Sequence, residues 1–218
     1  MIVVDKFPKK AEEVCKSLPA HDGAKHMAFG CDVASGKEVK LLADFAMKQY
    51  NSVPDIVVNC AGIIRDAPLL DMTEQQFDEV VAVNLKGVYL VTQAFARLAF
   101  QRKIAQSIIN ISSILGKMGA AERANYASTK SAVIGFTKSA ASAWARDGIR
   151  VNAVLPGYVG TPLTDAIEAK LLKAACDRIP MGRMGLPEEI ANAVVFLASD
   201  WSTYVTGTAV EVTGGLGM

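Results

Sequence analysis

Three residues in the second half of the chain have the types and spacing needed to move a proton to or from a carbonyl oxygen. Tyr126 and Lys130 are four positions apart in a segment predicted to be helical, so their side chains share one face. A free phenol is a poor base at neutral pH, but a nearby ammonium favours the phenolate. Ser113, at the end of the preceding predicted strand, can hydrogen-bond to a substrate oxygen. Tyr and Lys at this spacing are common in helices, so only the combination indicates catalysis.

A fourth polar residue, Asn84, lies in the middle of a long apolar segment predicted to be helical. An amide at such a position predicts a local break in the helix and a bound water. The alternatives are a satisfied polar residue at Asn84 and a simple strand-end cap at Ser113. Neither alternative explains why all four side chains occur in one chain.

Strands and helices alternate along the sequence and must position these residues. We predict strands at 1–4, 26–30, 54–62, 106–113, 149–157 and 207–212, and helices at 8–18, 36–50, 73–101, 124–147 and 187–199. The alternation predicts an α/β fold, a Rossmann-like doubly wound parallel sheet with helices on both faces, in one domain spanning 1–218. The near-continuous apolar run at 54–62 predicts a strand buried on both faces. Ligands of such sheets bind beyond the carboxyl ends of the strands.

The composition is that of a globular protein: 218 residues, 51% hydrophobic and 21% charged. A formal charge of +1 gives no electrostatic reason to expect nucleic acid or an anionic membrane as partner. No apolar run approaches the roughly 18 residues of a membrane span. Asp5 and Lys6 interrupt the first apolar stretch, which excludes a signal peptide at this position.

The cysteines and histidines predict no metal site. Four cysteines are widely spaced without a CxxC pair, which predicts buried free thiols in a reducing, intracellular compartment. His21 and His26 lie close together in a polar segment, but no third ligand is near them.

Five short motifs resemble the ordered signature of the short-chain dehydrogenase/reductase family. They are NCAG (59–62), VN (83–84), INISS (109–113), YASTK (126–130) and PGYVGT (156–161). Ser113 stands thirteen residues before Tyr126, as in that family. Within the family, NCAGIIRD, NLKGVYLVTQA, MGRMGLPEEIANAVVFLAS and EVTGGLGM are most similar to 3-oxoacyl-[acyl-carrier-protein] reductases and their mitochondrial hydroxysteroid dehydrogenase branch.

The resemblance implies hydride transfer between a nicotinamide and a carbonyl carbon, with roles for specific residues. Tyr126 would be the acid–base group, Lys130 would lower its pKa and hold the nicotinamide ribose, and Ser113 would orient the substrate carbonyl. Asn84 would anchor a proton-relay water. The cofactor-binding positions implied are Asp5, Asp32, Val33, Asn59, Ala61, Gly62, Tyr126, Lys130, Pro156, Gly157, Val159 and Thr161. Of these, Asp32 would meet the adenine ring, Asn59, Ala61 and Gly62 the adenine-ribose side, and Val159 and Thr161 the carboxamide.

Asp5 bears on the choice of cofactor. It matches the acidic residue that closes the family's second strand. A carboxylate there accepts hydrogen bonds from the adenosine ribose hydroxyls and repels a 2′-phosphate, so NAD is expected over NADP. Lys6 beside it weakens that preference.

The family begins with a strand, a TGxxxGxG turn and a helix that match nothing in this chain. The resemblance therefore implies a truncated member in which the first strand and the glycine turn are absent. In a second arrangement, strand 1–4 pairs directly with strand 54–60. Loss of the pyrophosphate-binding turn leaves two functional alternatives: an active enzyme, or a catalytically idle subunit that assembles with a full-length partner. A sugar-nucleotide epimerase, which shares the YxxxK chemistry, is a further alternative.

The substrate stays open between an acyl thioester, on acyl-carrier protein or coenzyme A, and a steroid. The segment 160–185 is predicted to cover it, and Arg65, Arg178 and Arg183 are candidates to meet carrier phosphates. The resemblance also implies a homo- or hetero-tetramer, with a mitochondrial matrix location or, alternatively, a cytoplasmic one.

Overall fold

Parallel strands and helices alternate along the chain in the computed structural model, which describes residues 1–19, 25–160 and 176–218. The strands are β1 Ile2–Asp5, β2 Met27–Gly30, β3 Ile56–Asn59, β4 Gln106–Ile111, β5 Ile149–Pro156 and β6 Ala209–Val212. The helices are α1 Pro8–Ser17, α2 Gly36–Tyr50, α3 Glu74–Val81, α4 Val88–Arg102, α5 Leu115–Met118, α6 Ala124–Trp144 and α7 Pro187–Ala198. The predicted α/β fold with a parallel sheet and helices on both faces is confirmed.

The strands form two parallel sheets. β1 pairs with β2, and β3, β4, β5 and β6 form a four-stranded sheet in that order. The register places Asp5 opposite Gly30, and Asn59 opposite Asn110. β1 and β3 belong to different sheets, so the arrangement in which strand 1–4 pairs directly with strand 54–60 is wrong.

One layer of helices joins the two sheets. Side chains of α2, α4 and α6, among them Leu42, Phe95 and Ala140, pack in one cluster with Ile108 of β4. Apolar side chains of β1 and β2 pack against the same cluster. On the opposite face of the large sheet, α7 buries Leu197 against β4 and β5. The apolar face of α2, α4 and α6 therefore fixes where the small sheet stands relative to the large one.

Strand β3 departs from the predicted burial. Val57 is 7% exposed and Asn59 is also buried, but Ile56 and Val58 are 45% and 43% exposed. Successive side chains of a strand point to opposite faces, and the described elements cover only one face of β3. The prediction of burial on both faces is wrong for this strand, although the apolar run itself forms a strand as expected.

The predicted helix 73–101 is present but interrupted. Thr73 and Gln76 form the expected capping box: the Thr73 hydroxyl accepts from the Gln76 amide at 3.2 Å, and the Gln76 side chain accepts from the Thr73 amide at 2.9 Å. A π-helical segment, Ala82–Gly87, then separates α3 from α4. Asn84 lies inside it, so the predicted local break is confirmed.

The thiols differ in their exposure. All four cysteines are free, as predicted. Cys31 is buried, Cys15 and Cys176 are half-buried and Cys60 is exposed, so burial was correctly predicted only for Cys31. His21 lies outside the described residues. Within the described ranges no three His, Cys, Asp or Glu side chains group as a metal site would require, and no helix is long and apolar enough to cross a membrane.

The burial contrast within β3 gives a first prediction. Val57→Thr is expected to destabilise the protein by about 1–3 kcal/mol, because its hydroxyl is buried without a partner. Val58→Thr keeps the same branched shape on the exposed face and is expected to cost less than about 0.5 kcal/mol. Urea denaturation of the two variants measures both. Equal losses would show that the Val58 face is covered in solution.

Candidate active site

A cleft of about 500 Å³ opens at the carboxyl ends of β3, β4 and β5. It is lined by Cys60, Gly62, Ile63, Ile64, Arg65, Ile111, Ser112, Ser113, Tyr126, Lys130, Pro156 and Gly157. Three of the four predicted catalytic residues line it directly. The fold thus brings Ser113, Tyr126 and Lys130 together at the edge of the sheet where ligands of parallel α/β proteins bind.

Helix α6 presents Tyr126 and Lys130, and a buried amide fixes its first turn. The Asn125 side-chain oxygen accepts from the Tyr126 amide at 2.7 Å. Its amide nitrogen donates to the carbonyls of Arg65 at 2.9 Å and Gln76 at 3.2 Å. Asn125 therefore ties the start of α6 to the loop after β3 and to α3. Sequence reasoning missed it, although an Asn directly before the candidate tyrosine was a visible signal.

Lys130 is almost completely buried, with 3% of its surface exposed. Its Nζ donates to the Ile111 carbonyl at 2.7 Å and lies 5.5 Å from the centroid of the Tyr126 ring. Burial lowers the pKa of the Lys130 ammonium to about 8, with a smaller opposing effect from Cys60. The group therefore still carries a positive charge at neutral pH, and that charge lies at the wall of the cleft.

The Tyr126 phenol keeps its proton at neutral pH. Burial raises the pKa of Tyr126, and the Ser113 hydroxyl and the Arg123 guanidinium oppose that rise by smaller amounts. The resemblance implied a pKa lowered by Lys130, whereas in this arrangement burial outweighs the lowering effects. A neutral phenol beside a hydroxyl is a proton donor to an oxygen in the cleft.

Two further residues hold α6 against the end of β4. The Ser112 hydroxyl donates to the Lys130 carbonyl at 2.7 Å. Gly116 in α5 lies so close that a Cβ there would be 2.8 Å from both the Lys130 carbonyl carbon and the Ser131 nitrogen. Sequence reasoning assigned a role to neither. Ser112 carried a signal, since a polar residue ended an apolar strand, while Gly116 carried none that is separable from an ordinary loop glycine.

Asn84 is fully buried, and both polar atoms of its side-chain amide bond to the backbone of one residue, Ile63. Its oxygen accepts from the Ile63 amide at 2.8 Å, and its nitrogen donates to the Ile63 carbonyl at 2.9 Å. The Thr129 hydroxyl lies 3.5 Å from the same nitrogen. Asn84 thus ties the loop after β3 to the π-helical segment, next to Thr129 of α6, and a water anchored there stays a prediction.

The Asn59 side chain points into the interior rather than into the cleft. It donates to the Thr92 hydroxyl at 2.9 Å and to the Asn110 side chain at 2.8 Å, and Asn110 donates in turn to Thr137 at 2.9 Å. This buried chain joins β3, β4, α4 and α6. The Asn59 side chain is therefore not directed at the adenine ribose, which the resemblance had implied as its ligand.

The acidic positions lie apart, at the carboxyl ends of β1 and β2. The Asp5 carboxylate accepts from the Phe7 amide at 2.8 Å. The Asp32 carboxylate accepts from the Ala34 amide at 3.0 Å and pairs with the Lys6 ammonium at 2.7 Å. Val33 lies against the π segment, since a Cβ on Gly87 would be 2.7 Å from its Cγ2.

The other predicted positions divide between the cleft and its surroundings. Gly62, Pro156 and Gly157 line the cleft, and Ala61 immediately precedes Gly62. Val159 bridges in parallel to Gly185. Thr161 and residues 161–175 of the predicted substrate cover lie outside the described residues.

The arginines proposed for carrier phosphates are engaged in part. Arg65 pairs with Glu79 at 2.8 Å and Arg183 pairs with Glu189 at 2.7 Å, both at exposed positions. The Arg183 pair also lowers the pKa of Glu189 to about 2.

Comparison with known proteins accords with this geometry. Residues 1–217 match a family model described as enoyl-(acyl carrier protein) reductase. A (3R)-3-hydroxyacyl-CoA dehydrogenase of Canis lupus familiaris is 48% identical over 90% of this chain and 76% of its own length. The chain belongs to the short-chain dehydrogenase/reductase family. It is therefore an oxidoreductase by family.

Other members of the short-chain dehydrogenase/reductase family agree in sequence and in structure. The 3-oxoacyl-[acyl-carrier-protein] reductase FabG of Staphylococcus aureus is 43% identical over 96% of this chain and 84% of its own length. A gluconate 5-dehydrogenase of Burkholderia cenocepacia, solved with NADP and tartrate, superposes with a TM-score of 0.91 at 35% identity. That superposition covers 99% of this chain and 84% of the other.

The close approach of Gly116 to α6 yields a second prediction. Gly116→Ala is expected to destabilise the protein by about 1–3 kcal/mol, because a methyl group would meet backbone atoms that cannot rotate away. Gly135→Ala is the matched control on α6, where a Cβ meets nothing within 4 Å. Removing that helix-interior glycine is expected to stabilise by about 0.5–1 kcal/mol. Thermal or urea unfolding that ranked the two variants in the opposite order would contradict the contact.

Burial of Lys130 yields a third prediction, on the pH dependence of stability. Its pKa is near 8 when folded and near the ordinary 10.5 when unfolded, so the unfolded chain holds the extra proton between those values. The free energy of unfolding of the wild type should therefore rise relative to that of Lys130→Met as the pH increases from about 8 to 10. Lys138→Met, at an exposed position of the same helix, is the control for replacing a lysine by methionine. A difference between wild type and Lys130→Met that is constant with pH would contradict a buried ammonium.

Proposed function

We propose that this chain reduces a 3-oxoacyl thioester to the 3-hydroxyacyl thioester with a nicotinamide dinucleotide, NAD(H) being preferred. The observation behind the proposal is the placement of Ser113, Tyr126 and Lys130 around one cleft at the carboxyl ends of β3 to β5. The names of the relatives supply the substrate class, since they act on 3-hydroxyacyl-CoA and on 3-oxoacyl groups of acyl-carrier protein.

Each side chain has a separate task in carbonyl reduction. Tyr126, protonated at neutral pH, donates its proton to the carbonyl oxygen. Ser113 hydrogen-bonds to the same oxygen and holds it near the phenol. The Lys130 ammonium, charged below about pH 8, stabilises the phenolate that remains after the proton leaves. The dinucleotide, when bound, supplies the hydride to the carbonyl carbon.

The residues present fit the two ribose groups of a nicotinamide dinucleotide. The Lys130 ammonium has three donors, and among the described residues the Ile111 carbonyl takes one of them, so donors remain for ribose hydroxyls. Gly62 keeps the floor of the cleft open beside that ammonium, since a Cβ there would be 3.6 Å from Nζ. Asp5, at the end of β1, supplies the carboxylate that favours the unphosphorylated ribose of NAD.

The substrate class, the carrier contacts and the assembly are supported to different degrees. A steroid substrate has no support in the names of these relatives, whereas an acyl thioester has. Phosphates of a carrier would have to compete with Glu79 for Arg65 and with Glu189 for Arg183. The tetramer, the mitochondrial location and the single-domain organisation stay predictions.

The test is reduction of acetoacetyl-CoA by NADH with wild type and Tyr126→Phe. The variant is expected to lose at least about a hundredfold in kcat, because it lacks the proton donor, while the Kd for NADH stays within about twofold. Tyr204→Phe, at a fully exposed tyrosine, is the control and should keep wild-type activity. Nicotinamide fluorescence gives the Kd and absorbance at the NADH band gives the rate.

Two outcomes would contradict the proposal. A folded wild type that binds neither NADH nor NADPH would favour the alternative of an idle subunit that assembles with another chain. An active Tyr126→Phe variant would mean that a different group supplies the proton.

A further inference from the structure

A pair of opposite charges lies beside Asp5, at the end of the small sheet. β1 and β2 run parallel with Asp5 opposite Gly30, and the Cys31 amide donates to the Asp5 carbonyl at 3.0 Å. Lys6 directly follows Asp5 and Asp32 directly follows Cys31, so the two side chains leave the sheet next to each other. Their Nζ and Oδ2 atoms are 2.7 Å apart.

Asp32 is held in place more firmly than an isolated surface carboxylate. Its Oδ1 accepts from the Ala34 amide at 3.0 Å, while its own amide donates to Glu38 at 2.8 Å. The side chain of Asp32 is 27% exposed and that of Lys6 is 65% exposed. The more exposed lysine thus pairs with a hydrogen-bonded carboxylate, which lies between the end of β2 and the start of α2.

The charges around Lys6 favour this position of its ammonium. A hydrogen bond from Lys6 lowers the pKa of Asp32, and Asp32 in turn raises the pKa of Lys6. Glu38 of α2 and Glu79 of α3 also raise the pKa of Lys6. The ammonium therefore lies near carboxylates of α2 and α3 as well as that of Asp32.

We propose that Asp32 is a specificity-determining residue: by holding the Lys6 ammonium it withholds this cation from a cofactor 2′-phosphate, so that Asp5 selects NAD(H). The inference rests on the proposed function. A 2′-phosphate at the end of β1 needs a nearby cation to offset repulsion by Asp5. Lys6 is next to Asp5 in the chain, and the Asp32 pair neutralises it there.

The test is the ratio of the Kd for NADPH to the Kd for NADH in four proteins. Asp32→Asn keeps an oxygen for the Ala34 amide but removes the charge that holds Lys6. Its ratio is expected to fall about tenfold from the wild-type value, because one cation is released near the ribose. Asp32→Asn with Lys6→Met should return the ratio to within about threefold of wild type. Asp44→Asn, an exposed carboxylate of α2, controls for net charge and should leave the ratio unchanged.

The outcomes separate the two proposals. If the ratio for Asp32→Asn lies within twofold of the wild-type ratio, the inference is overturned. Lys6 would then be equally available to a phosphate with or without the Asp32 charge, because exposed ion pairs are weak. A fall that persists after Lys6→Met would also overturn it, because Lys6 would not be the cation involved. If the wild type binds neither dinucleotide, the proposed function and this inference are overturned together. This outcome is distinct from the others because the wild type then shows no binding signal at all.

Discussion

The candidate site depends on keeping one ammonium group, that of Lys130, inside the protein. Burying a charge is costly unless it is hydrogen-bonded, and the Ile111 carbonyl accepts one hydrogen bond from this ammonium. That carbonyl is at the last residue of β4, so the lysine can reach it only if α6 lies directly on the strand end. The contact of Gly116 with the α6 backbone and the bond from Ser112 to the Lys130 carbonyl meet this requirement. Tyr126 is then placed by the helix geometry alone, one turn before Lys130.

Buried amides extend this constraint from α6 to the rest of the large sheet. Asn125 ties the start of α6 to the loop after β3, Asn84 ties the same loop to the π-helical segment, and Asn59 joins β3 to β4 through Asn110. An unpaired buried amide costs more than its hydrogen bond returns, so each of these contacts favours one register and one helix position over all others. Apolar packing alone would tolerate small shifts of α6 along the sheet. The buried hydrogen bonds therefore determine how precisely α6, and with it the wall of the cleft, is positioned.

Local sequence signals predicted most helices and strands. Contacts between residues distant in sequence could not be predicted. The capping box at Thr73, the helix break at Asn84 and the helix start at Pro187 each follow from chemistry within a few residues. The motif residues Ser113, Tyr126 and Lys130 were found because their spacing reflects one strand end and one helix face. The exposure of Ile56 and Val58 was not predictable, since an apolar run indicates a strand but not which elements cover it. The Lys6–Asp32 pair likewise requires the β1–β2 register, which neither residue encodes locally.

The division into two sheets affects one distance in particular, that between the residues lining the cleft and Asp5. The candidate catalytic residues Tyr126 and Lys130 stand on α6 and Ser113 follows β4, whereas Asp5 stands on β1. No strand ladder joins β1 to the large sheet in the described part of the chain. The connection runs instead through the apolar cluster of α2, α4 and α6 and through the contact of Val33 with the π segment at Gly87. Backbone ladders fix strand separation by directional hydrogen bonds, while apolar packing is non-directional. We therefore expect the distances among these candidate residues to be held more tightly than their distance to Asp5. A ligand that contacts both ends would gain affinity from any interaction that fixes this second distance, because binding would no longer have to fix it.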